Sequence, residues 1–286
     1  MSQVDQFESV FRSAVKDVFE YRAVDIRTIL VVTDLEGDAA QGFCTSVRNF
    51  LRFPSGEHER QYFVISGNEY QSTNELLNLL PQYTPDLICT YRNLQSDTWR
   101  FPHSLGGHLD VMIQQSEIPV LVLPNPSATY QAEHALKDTT DVMVIADMQA
   151  TNDRLINIAV ALTDPNGTLY LSHVEDVGIF ERYMDIISKI DVIDTEVARK
   201  RIAEQLLKEP DDYFNSCAEL IRQHHPNLEI SSLVLFSELV AEYKHQVESR
   251  KVDLLVLSAK DERQNAMHGV AYPLAIELRQ IPLLLI

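Results

Sequence analysis

A short apolar segment that ends in an aspartate occurs twice in this sequence. Residues 29–34 read ILVVTD, and residues 142–147 read VMVIAD. Short, uninterrupted apolar runs rich in β-branched residues are typical of strands that are buried on both faces of a parallel sheet. Because both runs are followed by further short strands and helical patterns, the chain is predicted to contain two copies of one fold unit.

The ends of the two copies also match. Gly106 stands 13 residues before Pro119, and Gly269 stands 13 residues before Pro282. Each proline precedes an apolar run, VLVL in the first copy and LLLI in the second. Further strand-like runs occur between these points, at residues 62–65, 87–90, 169–174, 233–236 and 254–257. Strands that alternate with helical patterns predict a doubly wound parallel α/β sheet in each copy.

The predicted domain organisation follows from this repeat. Apolar residues at helical spacing between residues 4 and 22 predict that the N-terminal segment, 1–25, forms an amphipathic helix, which packs on its own domain or docks on a partner or a second copy. The predicted domains are 26–125 and 141–286, with a linker at 126–140. The second copy is about 50 residues longer than the first, and helical patterning places the excess in an insert at 178–225.

Charge and composition exclude several classes of partner. The chain has 42 acidic and 24 basic residues, a net charge of −18, which opposes binding to nucleic acid or to an anionic membrane surface. No apolar run reaches the roughly 18 residues of a membrane span. The three cysteines are far apart and are expected to be buried thiols in a reducing compartment, so we expect a cytoplasmic protein. No catalytic or metal-binding motif is present, and neither an enzyme nor a metal site is expected.

Several segments resemble the universal stress protein family in its tandem, two-domain form. They are ILVVTD, PDLICTYR and LGGHLDVMIQQSEIPVLVLP in the first copy, and LSHV, VDLLVLSA and HGVAYPLAIELRQIPLLLI in the second. The resemblance covers nearly the whole chain after about residue 26. It implies two domains of the adenine nucleotide alpha hydrolase-like fold, packed as a pseudo-two-fold pair. The first copy has four predicted strands where the family has five, so the first domain is expected to be shortened.

The resemblance also directs attention to the loop after the family's fourth strand. Nucleotide-binding members carry the pattern G-x-x-G, nine further residues, and then Gly followed by Ser or Thr, which brings the backbone close to phosphate. Neither copy keeps it, because its leading glycines would fall near Tyr91 and Leu94 in the first copy and near Ser258 and Asp261 in the second. Only the closing glycines remain, Gly106 followed by Gly107, and Gly269.

Asp34 and Asp147 stand where the family's nucleotide binders place an acidic residue near the adenine and ribose. A carboxylate at the carboxyl end of a strand lies where open α/β sheets bind ligands, and it can equally cap the following helix. Positively charged or titratable residues near the two loops could meet an anion or form surface ion pairs: Arg92, Arg100, His103 and His108 in the first copy, and Lys260, Arg263 and His268 in the second.

The expected function is that of a non-catalytic, cytosolic stress-response or regulatory interaction module. It is expected to have lost ATP binding, to need no cofactor, and to act through a protein partner or as a homodimer. The alternative is a sensor that binds ATP or AMP, with magnesium, in the second domain through Asp147, Ser258 and Gly269. Any residual phosphate contact in the first domain is expected at Gly106 and Gly107, where a helix begins.

Overall fold

The computed structural model describes residues 19–52, 59–96, 104–126, 134–146, 153–259, 267 and 269–286, and these form one nine-stranded sheet flanked by helices. The strands are β1 (Thr28–Val32), β2 (Gln61–Ile65), β3 (Leu87–Tyr91), β4 (Val120–Leu123), β5 (Asp141–Ile145), β6 (Thr168–Asp176), β7 (Glu229–Ser237), β8 (Leu254–Leu257) and β9 (Leu283–Leu285). The helices are α1 (Gly37–Phe50), α2 (Thr73–Tyr83), α3 (Gly107–Gln115), α4 (Asp153–Leu162), α5 (Val177–Ile187), α6 (Thr195–His224), α7 (Leu239–Arg250) and α8 (Ala271–Glu277).

The order of the strands shows the repeat directly. Across the sheet it is β2-β1-β3-β4-β9-β8-β5-β6-β7. All pairs within β1–β4 and within β5–β9 are parallel, while β4 and β9 pair antiparallel. Reversing the direction of the strands at the centre relates the two halves by a pseudo-two-fold axis. The predicted fold class is therefore confirmed, with four strands in the first half and five in the second.

The contact between the halves is apolar and buried. Leu121 of β4 lies opposite Leu284 of β9, and the flanking pairs are Val120 with Leu285 and Val122 with Leu283. These side chains are almost completely buried. These residues belong to one continuous hydrophobic core that includes residues of both halves, so the contact lies inside a single core.

A matched pair of aspartates fixes the amino end of the sheet in each half. Asp86, before β3, accepts hydrogen bonds from the backbone N–H groups of Arg27 and Thr28 at the start of β1, at 2.9 and 2.8 Å. Asp253, before β8, accepts one from the N–H of Asp141 at the start of β5, at 2.9 Å. Each carboxylate thus sets the register between the first strand of its half and the neighbouring strand.

The residues before β1 correct one prediction. The helix predicted over 4–22 lies mostly outside the described residues, but its last part, residues 19–22, is not helical. Phe19 is buried with its ring edge-on to Tyr213 of α6, and the backbone of Glu20 hydrogen-bonds to Asp153 and Asn157 of α4. These side-chain partners satisfy backbone groups that a helix would have used internally. The segment therefore runs over the second half before the chain enters the first.

Other elements agree with the sequence in kind and differ in extent. The predicted helical insert, 178–225, contains all of α6 and all of α5 except its first residue, Val177. Strand β7 is longer than the apolar run that predicted it, because polar residues at its amino end also pair with β6. Helix α7 was not predicted, although its apolar residues Leu239, Val240, Tyr243 and Val247 follow helical spacing. All three cysteines are buried and free, as expected.

Asp253 makes the stability of the protein depend on pH. Burial raises the pKa of Asp253 to about 6, with the nearby charges of Asp138 and Asp141 acting in the same direction. A carboxyl whose pKa is raised in the folded state favours folding when protonated, so its contribution is lost as pH rises from about 4 through about 6.

We therefore expect Asp253→Asn to stabilise the protein at pH 8, by up to about 3 kcal/mol, and the gain to shrink toward zero near pH 4. The measurement is urea denaturation of both proteins across this pH range. The exposed residue Asp191 supplies the matched control, since Asp191→Asn also removes one charge from the acidic chain. An equal gain in the two variants, or a gain independent of pH, would contradict this account of Asp253.

Candidate functional site

The crevice of the first half lies at the carboxyl ends of β1 and β3. From β1 the chain goes to β2 on one side, and it then returns to β3 on the other. Ligands in open α/β sheets bind where neighbouring strands diverge in this way. Asp34 follows β1 at this point, so the predicted residue does stand at the switch point of the sheet.

The carboxylate of Asp34 is bound by the chain itself. One oxygen, Oδ1, accepts a hydrogen bond from the Tyr91 hydroxyl, and the other, Oδ2, accepts one from the backbone N–H of Gln95 at 2.8 Å. The Tyr91 oxygen also lies 2.7 Å from the Thr33 hydroxyl. The side chain of Asp34 makes no cap of the following helix, α1, whose N-cap is Glu36. Asp34 therefore organises the loop after β3 rather than the helix after β1.

The two positions at which the family pattern has its leading glycines carry large buried side chains. Tyr91 is 1% exposed and Leu94 is 2% exposed. The ring of Tyr91 packs edge-on against Phe43 of α1, with the ring centres 5.0 Å apart. A phosphate held by backbone N–H groups needs this space to be empty, and here side chains occupy it.

The first residues of the loop after β3 lie against Asp34. Asn93 and Gln95 both adopt left-handed conformations, with φ of 60° and 57°, which are uncommon for residues other than glycine. The Gln95 amide donates to the carbonyl oxygen of Gly67 at 3.0 Å. Gly67 itself lies so close to Asp34 that a Cβ there would stand 2.2 Å from the Asp34 carbonyl oxygen. Among the described residues of this loop, these contacts hold Gln95 beside Asp34 and Gly67.

Gly106 and Gly107 play different parts at the start of α3. Gly106 has a φ of 91°, and a Cβ on it would lie 2.7 Å from the Cα of Asn93. Gly107 meets no such obstacle, since its Cβ position has no atom within 4 Å. The first glycine is therefore required for packing against the loop, whereas the second leaves open space at the beginning of the helix.

The titratable groups around Asp34 are held in their neutral forms. Burial raises the pKa of Tyr91, and the hydrogen bond to Asp34 acts in the same direction. Burial and then the charge of Asp34 raise the pKa of Tyr70. Burial lowers the pKa of His108, against the opposing effect of Asp34. At neutral pH the crevice thus holds protonated phenols and a neutral imidazole beside one carboxylate.

Two buried polar atoms of this crevice have no hydrogen-bond partner within the described part of the chain, the hydroxyl oxygen of Tyr70 and Nε2 of His108. The two rings meet edge to face, with centres 5.6 Å apart. Buried polar groups usually find a partner in the protein or in water. These atoms are therefore the polar groups that a water molecule or a small ligand would meet in the first half.

Of the residues singled out near the first loop, Arg100 and His103 lie outside the described residues, and the contacts predicted for them stay predictions. Arg92 is buried and donates to the backbone carbonyl of Leu278, 3.1 Å away in the second half, so it joins the halves instead of facing an anion. The sequence pattern did not reveal Tyr91, Gln95 and Gly67 as partners of Asp34. Tyr91 had a usable signal, because it directly follows the strand predicted at 87–90 and stands where the family pattern has a leading glycine.

In the second half, the described residues include only part of the predicted site. Asp147 lies outside the described residues, as do Lys260, Arg263 and His268, so the contacts predicted for them stay predictions. Ser258 follows β8, and Gly269 stands two residues before α8 with a φ of 55° and open space at its Cβ position. Helix α8 begins without a side-chain cap.

The described residues contain no group of three or more His, Cys, Asp or Glu side chains placed to hold a metal ion. None of their helices combines the length and the apolar character that crossing a membrane requires.

The contrast between the two glycines gives a direct test of the closed loop. We expect Gly106→Ala to lower the free energy of unfolding by about 2 kcal/mol or more, because it adds both a steric conflict with Asn93 and a strained φ. Gly107→Ala is the matched control and should leave stability unchanged or slightly higher. Denaturant unfolding of the two variants measures both, and equal effects would show that the loop yields freely.

Comparisons with known proteins place this architecture. No family model matches the chain, and no curated protein does so at a significant level. Among solved structures, a universal stress protein from Archaeoglobus fulgidus is 12% identical, covers 90% of this chain and 97% of its own, and superposes with a TM-score of 0.49. A putative universal stress protein from Pseudomonas aeruginosa is 9% identical and covers 91% and 93%, with a TM-score of 0.48. The UspA protein from Lactobacillus plantarum is 15% identical and spans 52% of this chain and 97% of its own, with a TM-score of 0.33. In its fold, the chain is similar to these universal stress protein structures.

Proposed function

We propose that this protein is a non-catalytic module of the stress response, acting in the cytoplasm through protein contacts, and that it has lost ATP binding. The observation that carries the proposal is the occupation of the first crevice by Tyr91 and Leu94, which are both almost fully buried. The protein works through a different protein partner or a second copy of itself, and it needs no cofactor.

The energetics of the crevice support the loss of binding in the first domain. A nucleotide that used Asp34 would have to displace the Tyr91 hydroxyl and the Gln95 N–H from its two oxygens. Each displaced donor that stayed buried without a new partner would cost about 1–3 kcal/mol. The ring of Tyr91 would also have to leave its contact with Phe43. Binding would therefore require the loop after β3 to open.

The alternative function is an ATP or AMP sensor that uses the second domain. The position of Gly269 favours it, since no atom of the described residues lies within 4 Å of its Cβ position, whereas Gly106 is in close contact with the loop of the first domain. A nucleotide there would use Asp147, backbone groups near Ser258 and the chain near Gly269, with magnesium offsetting the negative charge of the phosphates.

Nucleotide titration separates the two proposals. A ligand that binds only the folded protein raises its stability, by about 2.7 kcal/mol at a concentration of 100 times Kd. With ATP or AMP and magnesium present at millimolar concentration, we expect no shift in the melting temperature and no heat of binding in calorimetry.

Two variants make the test specific for each domain. Micromolar binding that is abolished by Asp147→Ala and kept by Asp34→Ala would replace our proposal with the sensor. Binding that is abolished by Asp34→Ala alone would contradict the closed first crevice. Light scattering of the unliganded protein, measured in parallel, determines whether a second copy is among its partners.

A further inference from the structure

Strand β7 is one of the two outer strands of the sheet, and it is the longer one. It has nine residues, whereas β2 at the other side has five. Between Glu229 and Glu238 the sequence reads ISSLVLFS, which contains no charged residue and no proline. Natural proteins protect an outer strand with such residues or cover it, because its backbone can pair with another strand. The length and composition of β7 therefore suit it to pairing.

Alternate residues of β7 direct their backbone groups away from the sheet. The N–H of Glu229 donates to the carbonyl oxygen of Gly167 on the β6 side, at 3.0 Å, so the even-numbered residues from 230 to 236 point outward. The Arg222 side chain of α6 reaches one of these outward groups, the carbonyl oxygen of Ile230, at 3.3 Å. Three outward residues have backbone groups that no hydrogen bond from the described residues reaches, and we call them the β7 edge: Ser232, Val234 and Phe236.

An open groove runs between the β7 edge and helix α6. Residues 232–234 line it on the strand side, and Glu204, Leu207, Lys208 and Asp211 line it on the helix side. At 100° per residue these four side chains share one side of α6. The outer side of α6 therefore faces the same open space as the β7 edge.

The residues that precede β1 contact α6 from its opposite side. Phe19 packs against Tyr213, and Tyr21 stacks on His224. By helical geometry Tyr213 and His224 lie about 160° to 180° around α6 from Glu204. The described part of this N-terminal segment thus leaves the groove open.

A second copy of β7 fits the β7 edge in antiparallel register. With a two-fold axis at Val234, the two Val234 residues face each other, and Ser232 faces Phe236 of the partner subunit. Each of these pairs exchanges N–H···O bonds in both directions. Leu233 then lies across from Leu235 of the partner subunit, and no like charges stand opposite one another between residues 230 and 237.

The same axis places the α6 helices of two copies side by side. A two-fold axis perpendicular to the sheet keeps both helices on one face and makes them antiparallel. Helix α6 packs on both β6 and β7. Since neighbouring strands are about 4.8 Å apart, the two helix axes would lie roughly 10 Å apart, which is a usual distance between packed helices.

The charges on the outer side of α6 match in this arrangement. They alternate along the helix, at Lys200, Glu204, Lys208 and Asp211. Because Arg222 near the end of α6 reaches the beginning of β7, the helix runs antiparallel to the strand, and Val234 lies beside the first groove residues of α6. An axis there sets Glu204 opposite Lys208 of the partner subunit, and Lys200 opposite Asp211 of the partner subunit. Opposite charges thus meet although each chain carries a net charge of −18.

We propose that two copies of this protein pair through their β7 edges, antiparallel about a two-fold axis at Val234, with their α6 helices side by side. This inference rests on the proposed function, because it specifies the surface through which the protein acts as a homodimer.

Light scattering over a range of concentrations tests the pairing. The full chain is expected to show twice its mass of 32.6 kDa at micromolar concentration. Val234→Pro removes an outward N–H without breaking the ladder to β6, and it should raise the dissociation constant of the dimer at least tenfold. In β2 the N–H of Gln61 faces β1, so Val64 points outward. Val64→Pro is therefore the matched control and should leave the mass unchanged.

A wild-type chain that stays monomeric at about 100 times micromolar concentration overturns the proposal. A Val234→Pro variant that associates as tightly as the wild type does so too.

Charge exchange across the axis gives a second test that leaves the strand unaltered. Glu204→Lys should weaken the dimer at least tenfold, because it sets two positive charges against each other at two symmetric positions. Glu204→Lys/Lys208→Glu restores the opposite charges and should return the dissociation constant to near its wild-type value. A double variant that is no tighter than Glu204→Lys contradicts the proposed axis.

Hydrogen exchange identifies what covers the β7 edge. The amides of Ser232, Val234 and Phe236 should exchange at least tenfold faster on dilution to the monomer, while those of Leu233 and Leu235, which face β6, stay protected. Protection of the β7 edge that persists in the dilute monomer would assign the edge to a segment of the same chain and overturn the proposal.

Failure of this contact can be distinguished from failure of the proposed function. A monomeric wild-type chain overturns the β7 contact and leaves the loss of ATP binding and a different protein partner standing. A dimer that binds ATP overturns the proposed function and leaves the β7 contact standing.

Discussion

The antiparallel pairing of β4 with β9 is the interaction on which the architecture depends. Three opposed pairs of branched aliphatic side chains join two half-sheets into a single sheet with one buried interior. Neither half can expose this edge without uncovering both a row of unpaired backbone groups and a strip of apolar surface. The last strand of the chain therefore completes a core that the fourth strand began, and the two copies of the repeat are energetically inseparable.

The sequence predicted the sheet well because its buried strands appear in the sequence as short apolar runs. Uninterrupted apolar runs such as 29–33 and 254–257 indicate strands that are buried on both faces. The repeat supported each prediction, because corresponding elements occur in both copies. Helix α7 was missed because its polar residues weaken the apolar periodicity, and residues 19–22 were misassigned because their partners lie in α4 and α6. Contacts between residues more than 130 positions apart leave no local signal.

The candidate site was predictable in position and unpredictable in chemistry. The position of Asp34 was predicted because it follows a predicted strand. The sequence itself shows that the leading glycines of the family pattern are absent. The sequence did not show that Tyr91 would turn its hydroxyl onto Asp34, or that the Gln95 backbone would bind the other oxygen. Those contacts arise from left-handed conformations at Asn93 and Gln95, which side-chain identity does not encode.

Tyr91 also makes the crevice of the first half costly to open by substitution. A single change of Tyr91 to glycine would remove a buried aromatic side chain, at a cost of about 3–5 kcal/mol, and would leave the Asp34 carboxylate short of a donor. No ligand would yet be bound to offset that loss, because Leu94 and the loop would still occupy the crevice. Opening the crevice would therefore require Tyr91, Leu94 and the loop to change together, because each change made alone costs stability and creates no site.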